Sequence, residues 1–150
     1  MERIASFCVD HTKLTEGMYT SRIDRDVVTY DLRCCRPNCG QYLENAAIHT
    51  VEHLFATFVR NSPKTDSVIY FGPMGCRTGF YFLVSGLTEE EAISLTQDAF
   101  RFIAAYEGPI PGASAVECGN YLEHDLDGAK RIASHMCGVL TGWTPDKLAY

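Results

Sequence analysis

The chain has 150 residues, 46% of them hydrophobic and 21% charged, and its formal net charge is −6. Such a chain is long enough to bury one globular core, and it lacks the run of roughly 20 apolar residues that spans a membrane. The acidic balance and the absence of a basic stripe argue against a nucleic-acid surface, which favours small molecules or proteins as partners.

The first ten residues contain Glu2 and Arg3 and no long apolar run. This excludes a secretory signal and predicts a cytoplasmic protein. Seven cysteines are a high and odd count. In a reducing compartment we expect them to be thiols, mostly small buried hydrophobes, with some acting as metal ligands or nucleophiles.

The first half of the chain predicts one strand and one helix. Residues 27–32 are rich in β-branched and aromatic side chains, which indicates a strand. Residues 46–59 place apolar side chains at helical spacing, and residues 61–63 (Asn-Ser-Pro) end this predicted helix.

Two further strands are predicted at residues 68–71 and 79–85, the second of them nearly all apolar and therefore buried. Cys76 lies in the tight loop between them. The glycines of this loop let the backbone turn sharply and present the thiol to a ligand, and a neighbouring cation would favour its thiolate form. The alternative interpretation is a buried loop cysteine.

The second half of the chain predicts helices. Thr88 and Glu91 form a capping box that opens a helix reaching to about Glu107. Apolar spacing predicts another helix over residues 126–140, and Thr144-Pro145 begins a short helical turn. Strands mixed irregularly with helices predict an α+β fold, with a mainly antiparallel sheet packed against helices, in a single domain over residues 1–150.

The sharpest local signal is His49-Thr50-Val51-Glu52-His53. Residues four apart lie on the same face of a helix, with Cβ atoms roughly 5–6 Å apart, so both imidazoles reach one divalent ion. Glu52 flanks the same face and is placed for proton transfer beside the metal. The alternative is two solvated histidines on an amphipathic helix.

Spacing alone leaves the third ligand open. The candidates are the other histidines, several carboxylates and the cysteines. The same five-residue pattern is the signature of inverzincin peptidases, in which Glu117 or Glu123 would be the third ligand and Glu52 the base. A closed site with four protein ligands, stabilising an interaction module, is a further alternative.

Several short segments, in this order, resemble one enzyme family over nearly the whole chain. They cover residues 10–13, 30–33, 36–38, 49–53, 73–81, 118–121, 124–126 and 128–131. Together they resemble the S-ribosylhomocysteine lyase (LuxS) family, carbon–sulfur lyases that make the autoinducer-2 precursor of quorum sensing. The resemblance implies a LuxS-like fold and a place in the activated methyl cycle.

The resemblance implies a metal site and two acid/base groups. By residue matching, His49, His53 and Cys118 hold one divalent metal per subunit, Fe²⁺ in the family and replaceable by Zn²⁺ or Co²⁺. Cys76 is implied to be a thiolate that carries protons between ribose carbons, and Glu52 the second acid/base.

The resemblance also implies a substrate and an assembly. The substrate S-ribosylhomocysteine would be converted to homocysteine and 4,5-dihydroxy-2,3-pentanedione by metal-assisted carbonyl migration and β-elimination. Ser6, Phe7, His11 and Arg33 match residues that line the family's substrate pocket. Family enzymes are homodimers with active sites at the interface, so the residues near position 6 are implied to reach the partner's metal site.

Overall fold

The computed structural model describes residues 1–150 as a four-stranded antiparallel sheet packed against helices, which confirms the predicted α+β class. The strands are β1 (Gly17–Asp24), β2 (Val27–Arg33), β3 (Val68–Pro73) and β4 (Gly79–Ser85). The helices are α1 (Asn45–Arg60), α2 (Glu89–Ala104) and α3 (Leu126–Val139). Three short 3-10 helices cover Ala5–Phe7, Thr65–Ser67 and Pro145–Leu148.

The strand order in the sheet is β1-β2-β4-β3. Strands β2 and β4 lie at the centre, and their register pairs Arg33 with Gly79. Because β3 and β4 are joined by a short loop, this register brings the end of β2 next to Cys76. The sheet therefore fixes where that thiol lies.

One face of the sheet forms the core with the helices. Alternate residues of the central strands, such as Leu32 and Phe82, are fully buried on this face. Phe55 of α1 stacks on Phe71 with ring centroids 3.9 Å apart and meets Phe100 of α2 edge-on at 5.4 Å. These aromatic contacts fix α1 across the sheet.

The packing of α1 decides where its histidines point. Val51, Leu54 and Phe55 are fully buried in the core. At 3.6 residues per turn, His49 and His53 project from the side of α1 opposite Val51. The two imidazoles therefore face the segment between α2 and α3 and not the sheet.

The start of β1 is covered on both faces of the sheet, and this explains why β1 escaped prediction. Met18 and Tyr19 are consecutive and both buried, so the strand lacks the alternation of a half-exposed strand. Trp143 donates a hydrogen bond to the Met18 carbonyl at 3.1 Å, and Tyr150 stacks on Tyr19. Covering both faces hides the period-2 signal.

The predicted end of α2 is wrong by three residues, since the helix stops at Ala104 and not near Glu107. The Tyr106 hydroxyl donates to the Pro109 carbonyl, and Gly108 takes a φ of +113° that turns the chain. The other predicted helices, and the helical turn that begins at Pro145, are confirmed. None of the helices has the length and apolar composition that a membrane crossing requires.

Candidate metal centre and thiol cavity

Helix α1 carries the first two residues of the candidate metal centre. The Nδ1 atom of His49 lies 2.7 Å from the Glu123 carbonyl, and that of His53 lies 2.7 Å from the Pro111 carbonyl. A backbone carbonyl accepts, so each Nδ1 carries the proton and each Nε2 keeps its lone pair. This is how proteins commonly orient a metal-binding histidine.

Cys118 comes from the segment between α2 and α3, which contains neither helix nor strand. A backbone hydrogen bond of 3.0 Å from Cys118 to Ser114 closes a turn there. The turn brings the Cys118 Sγ within 3.3 Å of the His49 Nε2. The long segment between α2 and α3 passes over α1 and therefore places the thiol of Cys118 beside the two imidazoles.

A third imidazole joins this group. His124 stacks on His49 with ring centroids 4.0 Å apart, and its Nδ1 lies 2.9 Å from the Thr50 hydroxyl. Its Nε2 is buried and has no hydrogen-bond partner. Burial, and then the charges of His49 and His53, lower the pKa of His124. We call His49, His53, Cys118 and His124 the His/Cys cluster.

The His/Cys cluster has the chemistry of a transition-metal site. One ligand atom from each of the four residues lies within 4.8 Å of all the others. Imidazole nitrogen with a thiolate suits Fe²⁺ or Zn²⁺, whereas Mg²⁺ and Ca²⁺ prefer oxygen. The buried, unpaired Nε2 of His124 is an atom that an ion at this point would face. The residues therefore fit the metal that the sequence predicts.

Glu52 lies on α1 between the two histidines and is half-buried. Its carboxylate takes part in none of the ion pairs of the chain. A carboxylate left without an ion-pair partner beside imidazole ligands is available to a bound substrate.

Cys76 lies elsewhere, in a cavity of about 470 Å³ that we call the thiol cavity. Three of the residues predicted to bind substrate line it with Cys76, and they are Ser6, Phe7 and His11. No member of the His/Cys cluster lines this cavity. The structure thus presents two half-sites in one chain, a metal centre and a thiol with its neighbours.

Arg33, the fourth predicted substrate residue, lies behind the thiol. Its Nη1 donates to the Thr78 hydroxyl at 2.6 Å and lies 4.0 Å from the Cys76 Sγ. Thr78 also contacts Cys76, with Oγ1 and Sγ 3.1 Å apart. Burial is the largest influence and works to lower the pKa of Arg33, but the charge and the hydrogen bond of Asp31, together with Cys76 and Tyr150, outweigh it and the pKa is raised. A permanent cation therefore lies beside the sulfur.

The sequence profile of the family described as S-Ribosylhomocysteinase (LuxS) matches residues 4–145. The chain belongs to this family. An S-ribosylhomocysteine lyase of Phocaeicola vulgatus is 46% identical over 157 residues, with 100% of this chain and 98% of the relative covered. Lyases of the same name from Borreliella burgdorferi and Clostridium acetobutylicum are 46% and 43% identical, each covering 100% of this chain and 99% of the relative.

In this LuxS-family chain, only some of the candidates for a third metal ligand lie close to His49 and His53. Cys118 and His124 lie with the two helical histidines. His135 is instead 3.5 Å from Glu16, and Glu117 accepts a hydrogen bond from Ser114. No carboxylate belongs to the cluster, so the inverzincin interpretation lacks its third ligand.

Two residues that the structure places close to Cys76 and Arg33 were not singled out by the sequence. Thr78 follows Cys76 by two residues, which is a local signal that was available. Tyr150 reaches Asp31, beside Arg33, with oxygens 2.7 Å apart. The 119 residues between Tyr150 and Asp31 left no sequence signal for that contact.

Proposed function

We propose that this chain is an S-ribosylhomocysteine lyase that produces homocysteine and 4,5-dihydroxy-2,3-pentanedione. The observation that carries the proposal is the approach of Cys118 to His49 and His53, in a chain of the LuxS family. Curated relatives of full coverage bear the name of this activity.

The metal is held by His49, His53 and Cys118 in this proposal, with one divalent ion per subunit. Fe²⁺ is the proposed ion, and Zn²⁺ or Co²⁺ would substitute because nitrogen and thiolate donors suit all three. Bound there, the ion supplies a Lewis acid that polarises the sugar oxygens. His124 is not a ligand in this proposal, so that three protein ligands leave the open position that catalytic sites keep.

Cys76 takes the proton from a ribose carbon beside a carbonyl and returns it to the neighbouring carbon. Repeating this shift moves the carbonyl from C1 to C2 and then to C3. Arg33, 4.0 Å from the sulfur, places a positive charge beside the group that accepts each proton. Such proton transfers by positioned groups contribute typically 10²- to 10⁴-fold to a rate.

Glu52 moves the remaining protons. It transfers hydrogen between hydroxyl and carbonyl oxygens during the two shifts, and it serves the last step. There the C4 proton is lost, a double bond forms between C4 and C5, and the C5–sulfur bond breaks. The electron pair leaves with sulfur, and homocysteine is released as a thiol.

Ser6, Phe7, His11 and Arg33 are the proposed substrate contacts. The Nδ1 of His11 lies 2.9 Å from the Val9 carbonyl, which leaves Nε2 for a sugar hydroxyl. The Ser6 hydroxyl is available for the same purpose, and the exposed Phe7 ring offers an apolar wall to the thioether.

The proposed assembly is a homodimer with active sites at the interface. Because the His/Cys cluster does not line the thiol cavity, a second copy is needed to bring a metal centre opposite Cys76. In this arrangement the metal and Glu52 come from one protomer. Cys76, Ser6 and His11 come from its partner.

The proposed location is the bacterial cytoplasm. All seven cysteines are free thiols. A reducing compartment keeps exposed thiols such as Cys8 and Cys39 in that state.

The function is tested by incubating anaerobically purified, Fe²⁺-loaded protein with S-ribosylhomocysteine and titrating the released thiol with a chromogenic disulfide. We expect one thiol per substrate consumed, and none from a Cys76→Ala control. Absence of thiol release from loaded, folded protein would overturn the proposal.

A further inference from the structure

Tyr150 makes a buried contact that the proposed chemistry does not use. Two residues beyond the short helix Pro145–Leu148, the chain returns to the outer face of the sheet. The Tyr150 ring stacks on Tyr19 of β1, with centroids 5.2 Å apart and planes within 19°. Its hydroxyl lies 2.7 Å from the Oδ2 of Asp31.

From that hydroxyl, a continuous set of contacts leads to Cys76. The same Oδ2 of Asp31 accepts from the Arg33 Nη2 at 2.5 Å. The other terminal nitrogen of Arg33 donates to Thr78 and lies 4.0 Å from the Cys76 sulfur. Asp31 and Arg33 are only 1% and 3% exposed, so solvent does not screen their charges.

We propose that Tyr150 is a positioning residue which, through Asp31, holds the Arg33 guanidinium against Cys76. The inference rests on the proposed role of Cys76 as a proton carrier. Tyr150 does not touch the thiol itself. It fixes the carboxylate that would otherwise be free to draw the cation away.

The ion pair between Asp31 and Arg33 depends on the hydroxyl of Tyr150 because some of its own buried atoms have no hydrogen-bond partner. The Oδ1 of Asp31 and the Nε of Arg33 are buried without any hydrogen-bond partner. Only one oxygen of Asp31 is therefore engaged, and Tyr150 supplies one of its two donors. Without the hydroxyl, the carboxylate charge is shared with Arg33 alone, and less of the positive charge is left for sulfur.

The hydroxyl of Tyr150 donates the hydrogen bond to Asp31 and does not lose its proton at neutral pH. Burial, and then the charge of Asp31, raise the pKa of Tyr150 well above its usual value. The phenol is therefore protonated at neutral pH, and its proton points to the carboxylate. The other charged or titratable groups near Tyr150 are Arg33 of β2, Tyr19 of β1, and Cys8, Asp10 and Lys13 of the cavity that Tyr150 also lines.

The charged and titratable groups around Cys76 come from several parts of the chain. They are Arg33 of β2, Tyr81 of β4, Cys35 and Tyr42 of the segment that follows β2, His11 of the segment before β1, and Arg77, the next residue in the chain. Arg33 and Arg77 are the permanent cations among them, and of these two it is Arg33 that Asp31 joins to Tyr150. A change in the reactivity of Cys76 that follows a change at Tyr150 therefore reports on Arg33.

The test measures the reactivity of Cys76 without substrate or metal. Metal-free wild-type and Tyr150→Phe proteins are labelled with iodoacetamide over a series of pH values and digested with trypsin. Cleavage after Lys64 and Arg77 gives the peptide 65–77, whose only cysteine is Cys76. We expect labelling about threefold to tenfold slower at neutral pH in Tyr150→Phe, the range of one hydrogen bond's net effect. The turnover number falls by a similar factor, with KM and metal content unchanged.

Tyr19→Phe is the matched control. Tyr19 is the stacking partner of Tyr150, but its hydroxyl donates to the Thr15 carbonyl at 3.0 Å and not to Asp31. We expect its labelling rate to equal that of the wild type. Equal rates for Tyr150→Phe and wild type at every pH, or equal slowing in both variants, would overturn the proposal.

A double-mutant cycle keeps the inference separate from a general loss of stability. In an Asp31→Asn background, Tyr150→Phe must have no further effect on labelling, because the hydroxyl acts through the carboxylate. An undiminished effect there would also overturn the proposal. Since labelling needs no substrate, a wild type that labels as expected but releases no thiol would refute the proposed function alone.

Discussion

Two cysteines with different surroundings carry different parts of the proposed chemistry. Cys118 lies 3.3 Å from a histidine nitrogen, and Cys76 lies 4.0 Å from a guanidinium nitrogen. We expect Cys118→Ala to lose the bound metal, because the two proposed ligands that remain, His49 and His53, hold it weakly. Cys76→Ala should keep the metal and lose turnover. Metal content by mass spectrometry and thiol release decide, and metal loss in Cys76→Ala with retention in Cys118→Ala would reverse the two roles.

Glu52 is the second residue whose role rests on its charge. Glu52→Gln keeps the shape and hydrogen bonding of the side chain but cannot take up a proton. We expect the variant to bind metal and substrate normally while releasing homocysteine about 10²-fold or more slowly, the usual effect of losing an acid/base group. Thiol release close to the wild-type rate would remove Glu52 from the mechanism.

The spacing of residues in the sequence revealed the part of the metal centre that lies on α1, but not the cysteine that comes from another segment. His49, Glu52 and His53 could be recognised because their spacing follows the helix period. Cys118 is 69 residues from His49 in sequence, and only tertiary folding brings them together. Among the residues alone, Cys118 was one candidate of several, and family resemblance singled it out.

At the scale of elements, the close packing of β2 against β4 depends on Gly79. A Cβ at this position would clash with the Leu32 carbonyl oxygen and lie 3.1 Å from the Arg33 Cα. Because both contacts are backbone, the strands must separate. We expect Gly79→Ala to lower the free energy of unfolding by about 1–3 kcal/mol, the usual cost of overpacking.

Gly75→Ala is the control, since a Cβ there meets nothing within 4 Å. Urea unfolding of the two variants compares the costs directly. Similar midpoints for Gly79→Ala and the wild type would mean that the strands adjust freely. The close packing of β2 against β4 beside Cys76 would then not depend on a glycine at position 79.

Elements with a strong apolar pattern were predictable, and those without one were not. The helical spacing around Val51 and the nearly continuous apolar run at 79–85 are two such patterns. Strand β1 is covered on both sides near Met18 and Tyr19, so no period appears. The end of α2 depends on a hydrogen bond from Tyr106 to Pro109, which helical spacing does not encode.

At the scale of the whole molecule, the separation of the metal centre from the thiol cavity predicts that two inactive variants restore activity when they form a heterodimer. If the metal comes from one protomer and Cys76 from its partner, a heterodimer of Cys76→Ala and Cys118→Ala has one pocket with both lesions and one with neither. By the symmetry of an isologous dimer, we expect about half of the wild-type activity per dimer. Each parent homodimer should be inactive.

The heterodimer is obtained by co-expressing the two chains with different tags and isolating the doubly tagged species. Cys76→Ala paired with His11→Ala is the control. Both of those residues line one cavity, so every pocket of that heterodimer is damaged and no activity should return. Activity in the control pair alone, or a monomer by light scattering, would contradict the shared site.

The segment between α2 and α3 is the part of the protein that we expect to unfold first when the metal is removed. Residues 105–125 have no helix or strand of their own, yet they supply Cys118 to a helix distant in sequence. An ion held by both is in effect a staple that closes a long loop, and such closures limit the freedom of the opened chain. Chelation should therefore make this segment the first to be cut by a protease, while the helical circular dichroism is still unchanged. Cutting that begins elsewhere would show that the staple does not govern the loop.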